Sequence, residues 1–149
     1  MKINGTPYRT IWPEGDDAVS VIDQTRLPHA FAVQRLSSAE DCARAIKTMV
    51  VRGAPLIGAT AAYGVALAMR RNASDAALDA AHDFLLATRP TAVNLHWALA
   101  RMRDRLRNQP QEKRAALAWA ETAAICDEDV ATCRAIGEHG LTILRDAAA

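Results

Sequence analysis

Aromatic residues are scarce in this sequence, 5% of its 149 positions, and its charges nearly cancel to a formal +1. Few aromatics beside a half-apolar, alanine-rich composition argue against a sandwich or barrel and for closely packed helices. Near-neutrality gives no electrostatic case for DNA or another nucleic-acid partner. The amino terminus, MKINGTPYRTIW, lacks the apolar run and small-residue cleavage pattern of a signal peptide, so a cytoplasmic protein is expected. The longest uncharged run, Gly53 to Met69, contains glycine, proline, threonine and tyrosine and falls short of membrane-spanning length. A buried core helix is expected there, and no membrane partner.

Metal and nucleophile chemistry are poorly supplied as well. Three cysteines in a cytoplasmic chain read as reduced thiols. Cys126 and Cys133 are separated by roughly 10 Å of rise on an expected helix, too far for a disulfide. His29, His82, His96 and His139 form no i, i+4 pair and join no cysteine cluster, so no metal site is expected. No Ser-His-Asp order, glycine-rich nucleotide fingerprint or Walker loop is present. Cys42, Cys126 and Cys133 each read as a buried, inert thiol, Trp97 and Trp119 as core or interface residues, and His96 as a partly exposed histidine without chemistry.

What is present is a succession of short elements amounting to about one domain. Residues 1–36 read as a small antiparallel β meander, with strands at Tyr8–Trp12, Ala18–Asp23 and Ala30–Leu36 and a first turn over Pro13, Glu14, Gly15 and Asp16. Residues 37–149 read as a five-helix bundle. Ser37 with Glu40, or Ser38 with Asp41, starts the first helix near Ala39, which keeps Met49 and Val50 on its inner face and ends at Gly53. The second, about Pro55 to Arg71, is apolar on every side and therefore central, with Gly58 and Gly64 admitting close neighbours. Ser74 caps a third that runs to about Ala87, with Ala77, Leu78, Ala81 and Leu85 inward.

The fourth helix, about Ala92 to Asn108, turns Leu95, Ala98, Leu99, Met102 and Leu106 inward and leaves Arg101, Arg103, Arg105 and Arg107 as a solvated face. Pro110 opens the last and longest helix, from near Gln111 to Asp146. Its stripe of Trp119, Ala123, Cys126, Val130, Cys133, Gly137, Gly140 and Leu144 alternates spacings of four and three, with Asp127, Glu128 and Asp129 off it. The two glycines are positions at which it could bend.

Arginine meets the start of a helix twice, at Arg52-Gly53-Ala54-Pro55 and at Arg89-Pro90-Thr91-Ala92-Val93-Asn94. The first turn of a helix carries unpaired N–H groups and the positive end of the dipole. Glycine and alanine let a ligand approach the backbone, and a guanidinium grips phosphate oxygens in pairs. Two such turns meeting in space would make a phosphate site from Arg52, Gly53, Ala54, Arg89 and Asn94. Taken singly, each turn is equally well explained as punctuation between helices, with its arginine solvated and Asn94 satisfying a backbone group.

Four segments carry a resemblance: VIDQTRLPH (Val21 to His29), AIKTMVVRGAPLIGATAAYGVALA (Ala45 to Ala68), TRPTAVNLHWALARM (Thr88 to Met102) and IGEHGLTIL (Ile136 to Leu144). In order and spacing they resemble the amino-terminal domain of the methylthioribose-1-phosphate isomerase family. The RGAP turn is shared with ribose-1,5-bisphosphate isomerases and with regulatory subunits of the exchange factor of translation initiation; NLHWAL favours the methylthioribose branch. The resemblance implies an aldose-to-ketose conversion in methionine salvage without metal or organic cofactor. It implies a phosphate held by the Arg52-Gly53-Ala54 turn and Arg89, with Asn94 beside them.

The family's catalytic cysteine and aspartate lie in a Rossmann-like carboxy-terminal domain, matched by none of the cysteines here. The resemblance therefore implies no catalytic residue in residues 1–149, an inactive isolated chain, its own carboxy-terminal domain as partner, and a homodimer when complete. Two alternatives stay open: a regulatory binding module like the exchange-factor subunits, and a ribose-1,5-bisphosphate isomerase.

Overall fold

The computed structural model describes residues 2–148. In chain order it comprises β1 (Lys2–Ile3), β2 (Thr6–Pro7), β3 (Ile11–Glu14), β4 (Ala18–Ile22), β5 (Val33–Leu36), α1 (Ala39–Lys47), α2 (Ala54–Arg71), α3 (Asp75–Leu86), α4 (Val93–Arg107) and α5 (Gln111–Ala148). The fold is mainly α, with a small antiparallel meander ahead of five helices, as the sequence implied.

The meander runs β3-β4-β5, pairing Trp12 with Ser20 and Val21 with Gln34. β4 is buried along its whole length, and the buried Ser20 hydroxyl is satisfied by the Glu14 carboxylate. The first strand begins later than expected because Tyr8 leaves the sheet to pack on Trp12 and Phe31, with ring centroids 5.8 and 5.0 Å away. Pro13 sits within β3, which an edge strand tolerates. The turn therefore moves on to residues 15–17, with Gly15 at φ +65°. The third strand starts at Val33 rather than Ala30, because the Ala30 N–H is taken by the Arg26 carbonyl at 2.9 Å. The β1–β2 hairpin was not expected; Asn4 and Gly5, both at positive φ, form the two-residue turn that a right-twisted hairpin favours.

Ser38 is the cap of α1, its hydroxyl accepting from the Asp41 N–H at 3.0 Å. The helix stops at Lys47, short of the expected Gly53. Met49 adopts φ +63°, and Val51 turns back to donate to the Ala45 carbonyl at 3.2 Å. Met49 is thereby exposed rather than inward, and Val51 enters the core in its place.

α2 is the hub: every residue from Leu56 to Leu67 is buried. Burial of Leu56, Ile57, Val65 and Leu67 contributes about 1.5–3 kcal/mol each. Its glycines admit neighbours as expected. A Cβ on Gly64 would lie 2.9 Å from Leu85 of α3 and 3.2 Å from Cys42 of α1, and one on Gly58 would lie 2.8 Å from the Asn94 carbonyl oxygen of α4. Leu78 and Leu85 of α3, and Leu95, Ala98, Leu99, Met102 and Leu106 of α4, all point into the core.

α5 is a single helix through Gly137 and Gly140. Its buried face is Arg114, Ala118, Thr122 and Ile125, one position behind the expected stripe, while Ala123 is exposed and Trp119 only half-buried. Two polar residues can face inward because each is internally satisfied. Thr122 donates to the Ala118 carbonyl at 2.9 Å, and Arg114 donates to the carbonyls of Gln109, Ala73 and Arg107 at 3.0, 2.9 and 2.9 Å and pairs with Asp75 at 2.7 Å. Beyond residue 129 the helix stands clear of the bundle, exposing Val130, Ile136, Leu141, Ile143 and Leu144. Cys133 is exposed too, contrary to expectation, whereas Cys42 is buried and Cys126 half-buried.

Candidate functional site

The cap residues separate the helices into two kinds. α1 and α3 begin on serines, Ser38 and Ser74, whose hydroxyls accept first-turn N–H groups. α2 and α4 begin on Gly53 and Ala92 and have no side-chain cap. Gly53 holds φ +95° and ψ +133°, a conformation essentially reserved for glycine, and Pro55 occupies the first turn without needing a hydrogen-bond acceptor. The two uncapped starts lie side by side, since Gly58 in the second turn of α2 meets the backbone of Asn94 in the first turn of α4. Their N–H groups and dipole ends add at one place.

That place is a cleft of ≈ 870 Å³, walled on this side by Arg52, Gly53, Pro55, Val93, Asn94 and Trp97. Arg52 is exposed, and its guanidinium makes no ion pair or hydrogen bond among the described residues. Its turn is fixed from outside by Gln24, which donates from its side chain to the Arg52 carbonyl at 3.2 Å and from its backbone to Val50 at 2.9 Å. Of the expected phosphate residues, the structure brings Arg52, Gly53 and Asn94 to the cleft wall. Ala54 is the first residue of α2, beside the wall, and the half-buried Arg89 lies one turn of chain ahead of Val93, outside the lining.

The far wall comes from the amino-terminal region and mid-α5: Tyr8, Arg9, Cys126, Glu128, Asp129 and Thr132. Arg9 pairs with Asp127 at 2.7 Å, tying the two together across the cleft edge. Arg101 is not a solvated arginine. It reaches Glu121 at 2.6 Å and both oxygens of Glu128 at 2.5 and 2.8 Å, and its guanidinium lies 5.4 Å from the Trp97 ring centroid. Arg105 and Arg107 are likewise paired, with Glu121 and Asp79. The hydrogen bond from Arg101 holds the Glu128 carboxyl below the usual carboxylate range. Trp97, expected in the core or at an interface, is a half-exposed cleft residue.

Burial pushes the Cys126 thiol up to about 11, against the nearby Arg9 charge, so it stays protonated at neutral pH and is a weak nucleophile. Tyr63, edge-on to Trp119 at 5.2 Å, also has its hydroxyl pushed upward, chiefly by burial. The near wall offers an unpaired guanidinium and two helix starts; the far wall offers carboxylates, of which Glu128 is already matched to arginine.

Fold and site together define a helical domain with an anion-compatible cleft between two uncapped helix starts. Residues 50–149 match the initiation factor 2 subunit family, and the chain belongs to that family. A Methylorubrum extorquens protein named methylthioribose-1-phosphate isomerase is 65% identical over 150 residues, covering 100% of this chain and 41% of that protein. A solved 5-methylthioribose 1-phosphate isomerase from Pyrococcus horikoshii superposes with TM-score 0.75 at 39% identity, over 87% of this chain and 40% of that one. The delta subunit of translation initiation factor eIF-2B from A. fulgidus also superposes at 0.75, with 38% identity over 83% of this chain and 38% of its own. The chain thus spans about two fifths of the length of the isomerases it matches, 41% in the M. extorquens case.

Proposed function

We propose that this chain is the amino-terminal, phosphate-holding domain of an aldose–ketose isomerase converting 5-methylthioribose 1-phosphate to 5-methylthioribulose 1-phosphate in methionine salvage. Support comes above all from the meeting of the uncapped starts of α2 and α4 at one cleft, where the Arg52 guanidinium has no partner among the described residues. An anionic phosphate satisfies all three features at once. Arg52, Gly53 and Asn94 take the phosphate at the near wall, with Ala54 beside them, and Arg89, outside the lining, completes the grip from the turn before α4 once the phosphate is bound. Holding the phosphate orients the sugar ring for opening and for transfer between C1 and C2. The groups that move hydrogen belong to a second, Rossmann-like domain outside residues 1–149. The complete protein is a cytoplasmic homodimer needing no metal or organic cofactor.

The test is a graft. This chain replaces the matching 41% of the M. extorquens isomerase, and turnover of 5-methylthioribose 1-phosphate is measured. Turnover is expected in the hybrid, and Arg52→Ala is expected to cost about 1.5–3 kcal/mol of substrate binding, the scale of a charged hydrogen bond. A hybrid that folds but binds equally well without Arg52 sinks the phosphate role. The likeness to the eIF-2B delta subunit favours a second reading, a regulatory module that binds a phosphorylated ligand without converting it. A folded hybrid that binds the sugar phosphate through Arg52 yet never turns it over would favour that reading.

A further inference from the structure

The turn from Thr88 to Ala92 is held at three points. The Thr88 hydroxyl donates to the Leu85 carbonyl at 2.6 Å, the Ala92 N–H donates to the Arg89 carbonyl at 3.0 Å, and Nε2 of His96 lies 2.6 Å from the Pro90 carbonyl oxygen. A carbonyl only accepts, so Nε2 carries the proton in this contact. The contact does work that the helix start leaves undone. Pro90 has no N–H and Ala92 offers no capping side chain, so among the described residues the peptide between Pro90 and Thr91 is held by the turn bond from Ala92 to Arg89 and by His96. His96 itself is exposed and one turn into α4, which gives it a rigid base from which to reach back.

We infer that His96 is the positioning residue for Arg89: its ring clamps the Pro90 carbonyl and so fixes the backbone that carries the Arg89 side chain. The inference rests on the proposed phosphate role of Arg89. An arginine side chain has many rotamers, and a wandering backbone beneath it would add further freedom to be lost on binding. Clamping the turn removes that second cost before the ligand arrives. His96 touches no reacting atom and acts only through Arg89.

Two measurements on the purified chain separate this inference from the reading beneath it. In hydrogen exchange, the Ala92 amide is expected to exchange roughly tenfold faster in His96→Ala, the equivalent of one lost hydrogen bond, and at the wild-type rate in His96→Gln, whose amide nitrogen can replace Nε2. Unchanged protection in His96→Ala overturns the clamp. In titration with 5-methylthioribose 1-phosphate, His96→Ala is expected to weaken binding several-fold in the wild-type background and not at all once Arg89 is alanine. Weaker binding in Arg89→Ala but unchanged binding in His96→Ala overturns the inference alone. Wild-type affinity in Arg89→Ala overturns the phosphate role of Arg89, and the inference with it.

Discussion

A Cβ placed on Gly58 would stand 2.8 Å from the backbone carbonyl oxygen of Asn94 and 3.3 Å from the Ala98 Cβ. The obstacle is main chain, so no side chain can swing aside to relieve it. This contact sets the spacing between the second turn of α2 and the first turn of α4, and with it the spacing of the two helix starts that open on the cleft. Gly58→Ala is therefore expected to destabilise the chain by about 1–3 kcal/mol, the usual scale of overpacking. Chemical denaturation reads the loss, and titration with 5-methylthioribose 1-phosphate should show weaker binding in the same variant. Wild-type stability would mean that the helices separate at no cost.

The glycines carry opposite expectations elsewhere. Gly53 meets nothing within 4 Å at its Cβ position, yet holds φ +95°. Gly53→Ala should thus destabilise through backbone strain, by about 1–3 kcal/mol, without any clash. Gly137 and Gly140 also meet nothing, but lie at ordinary dihedrals within α5. Replacing either by alanine should strengthen the exposed part of that helix by up to about 1 kcal/mol. Far-UV circular dichroism of the three variants, with thermal melting of Gly53→Ala, checks both signs.

The sequence made α3 and α4 legible because their inward residues are strong apolar signals at helical spacing, Leu78 and Leu85 in one, Leu95, Leu99 and Leu106 in the other. It made the Arg52-Gly53 turn legible because glycine and proline act locally. The phase of α5 was misread because its inward face begins with Arg114 and includes Thr122, and the acceptors that permit Arg114 to be buried come from residues 73, 75, 107 and 109. Those four converge only after folding. The far wall of the cleft is illegible for the same reason: Arg9, Cys126 and Glu128 are brought together by tertiary contacts that leave no local pattern, and Arg101 reads as one solvated arginine among several.

Acid should lower the stability of the chain in a definable window. Hydrogen bonds and charge from Arg107 hold the Asp79 carboxyl below its ordinary value of 3.8, and the hydrogen bond from Arg101 holds Glu128 below 4.5. For Asp41, burial acts to raise the value, but the Ser37 N–H, the Ser38 hydroxyl and Arg44 together outweigh it and lower it. A carboxyl whose folded value is depressed contributes stability in full above its unfolded value and loses it as pH falls through the folded one. Stability should therefore be level in this respect from neutrality to about pH 5 and decline below that. Asp79→Asn and Glu128→Gln should each flatten the decline, as read from urea midpoints between neutrality and acid; an unchanged slope in both would show that these pairs do not couple to folding.

Arg114 offers the sharpest test of the bundle itself. Its relative exposure is 4%, and its guanidinium spans the Ala73 carbonyl after α2, the Asp75 carboxylate at the start of α3, and the Arg107 and Gln109 carbonyls at the end of α4. One side chain thus joins the ends of three helices to the first turns of a fourth. Truncating it takes the donor from three partly buried carbonyls, while the exposed Asp75 carboxylate can turn to water, so Arg114→Ala is expected to cost about 1–3 kcal/mol. Arg114→Lys keeps the charge, but a single ammonium cannot match the geometry of a planar fork, so most of the loss should remain. Arg114→Met keeps the volume and removes the charge. If Met is as damaging as Ala, the hydrogen bonds account for the effect; if Met restores stability, packing does, and the network is dispensable. Urea denaturation of the three variants distinguishes these outcomes.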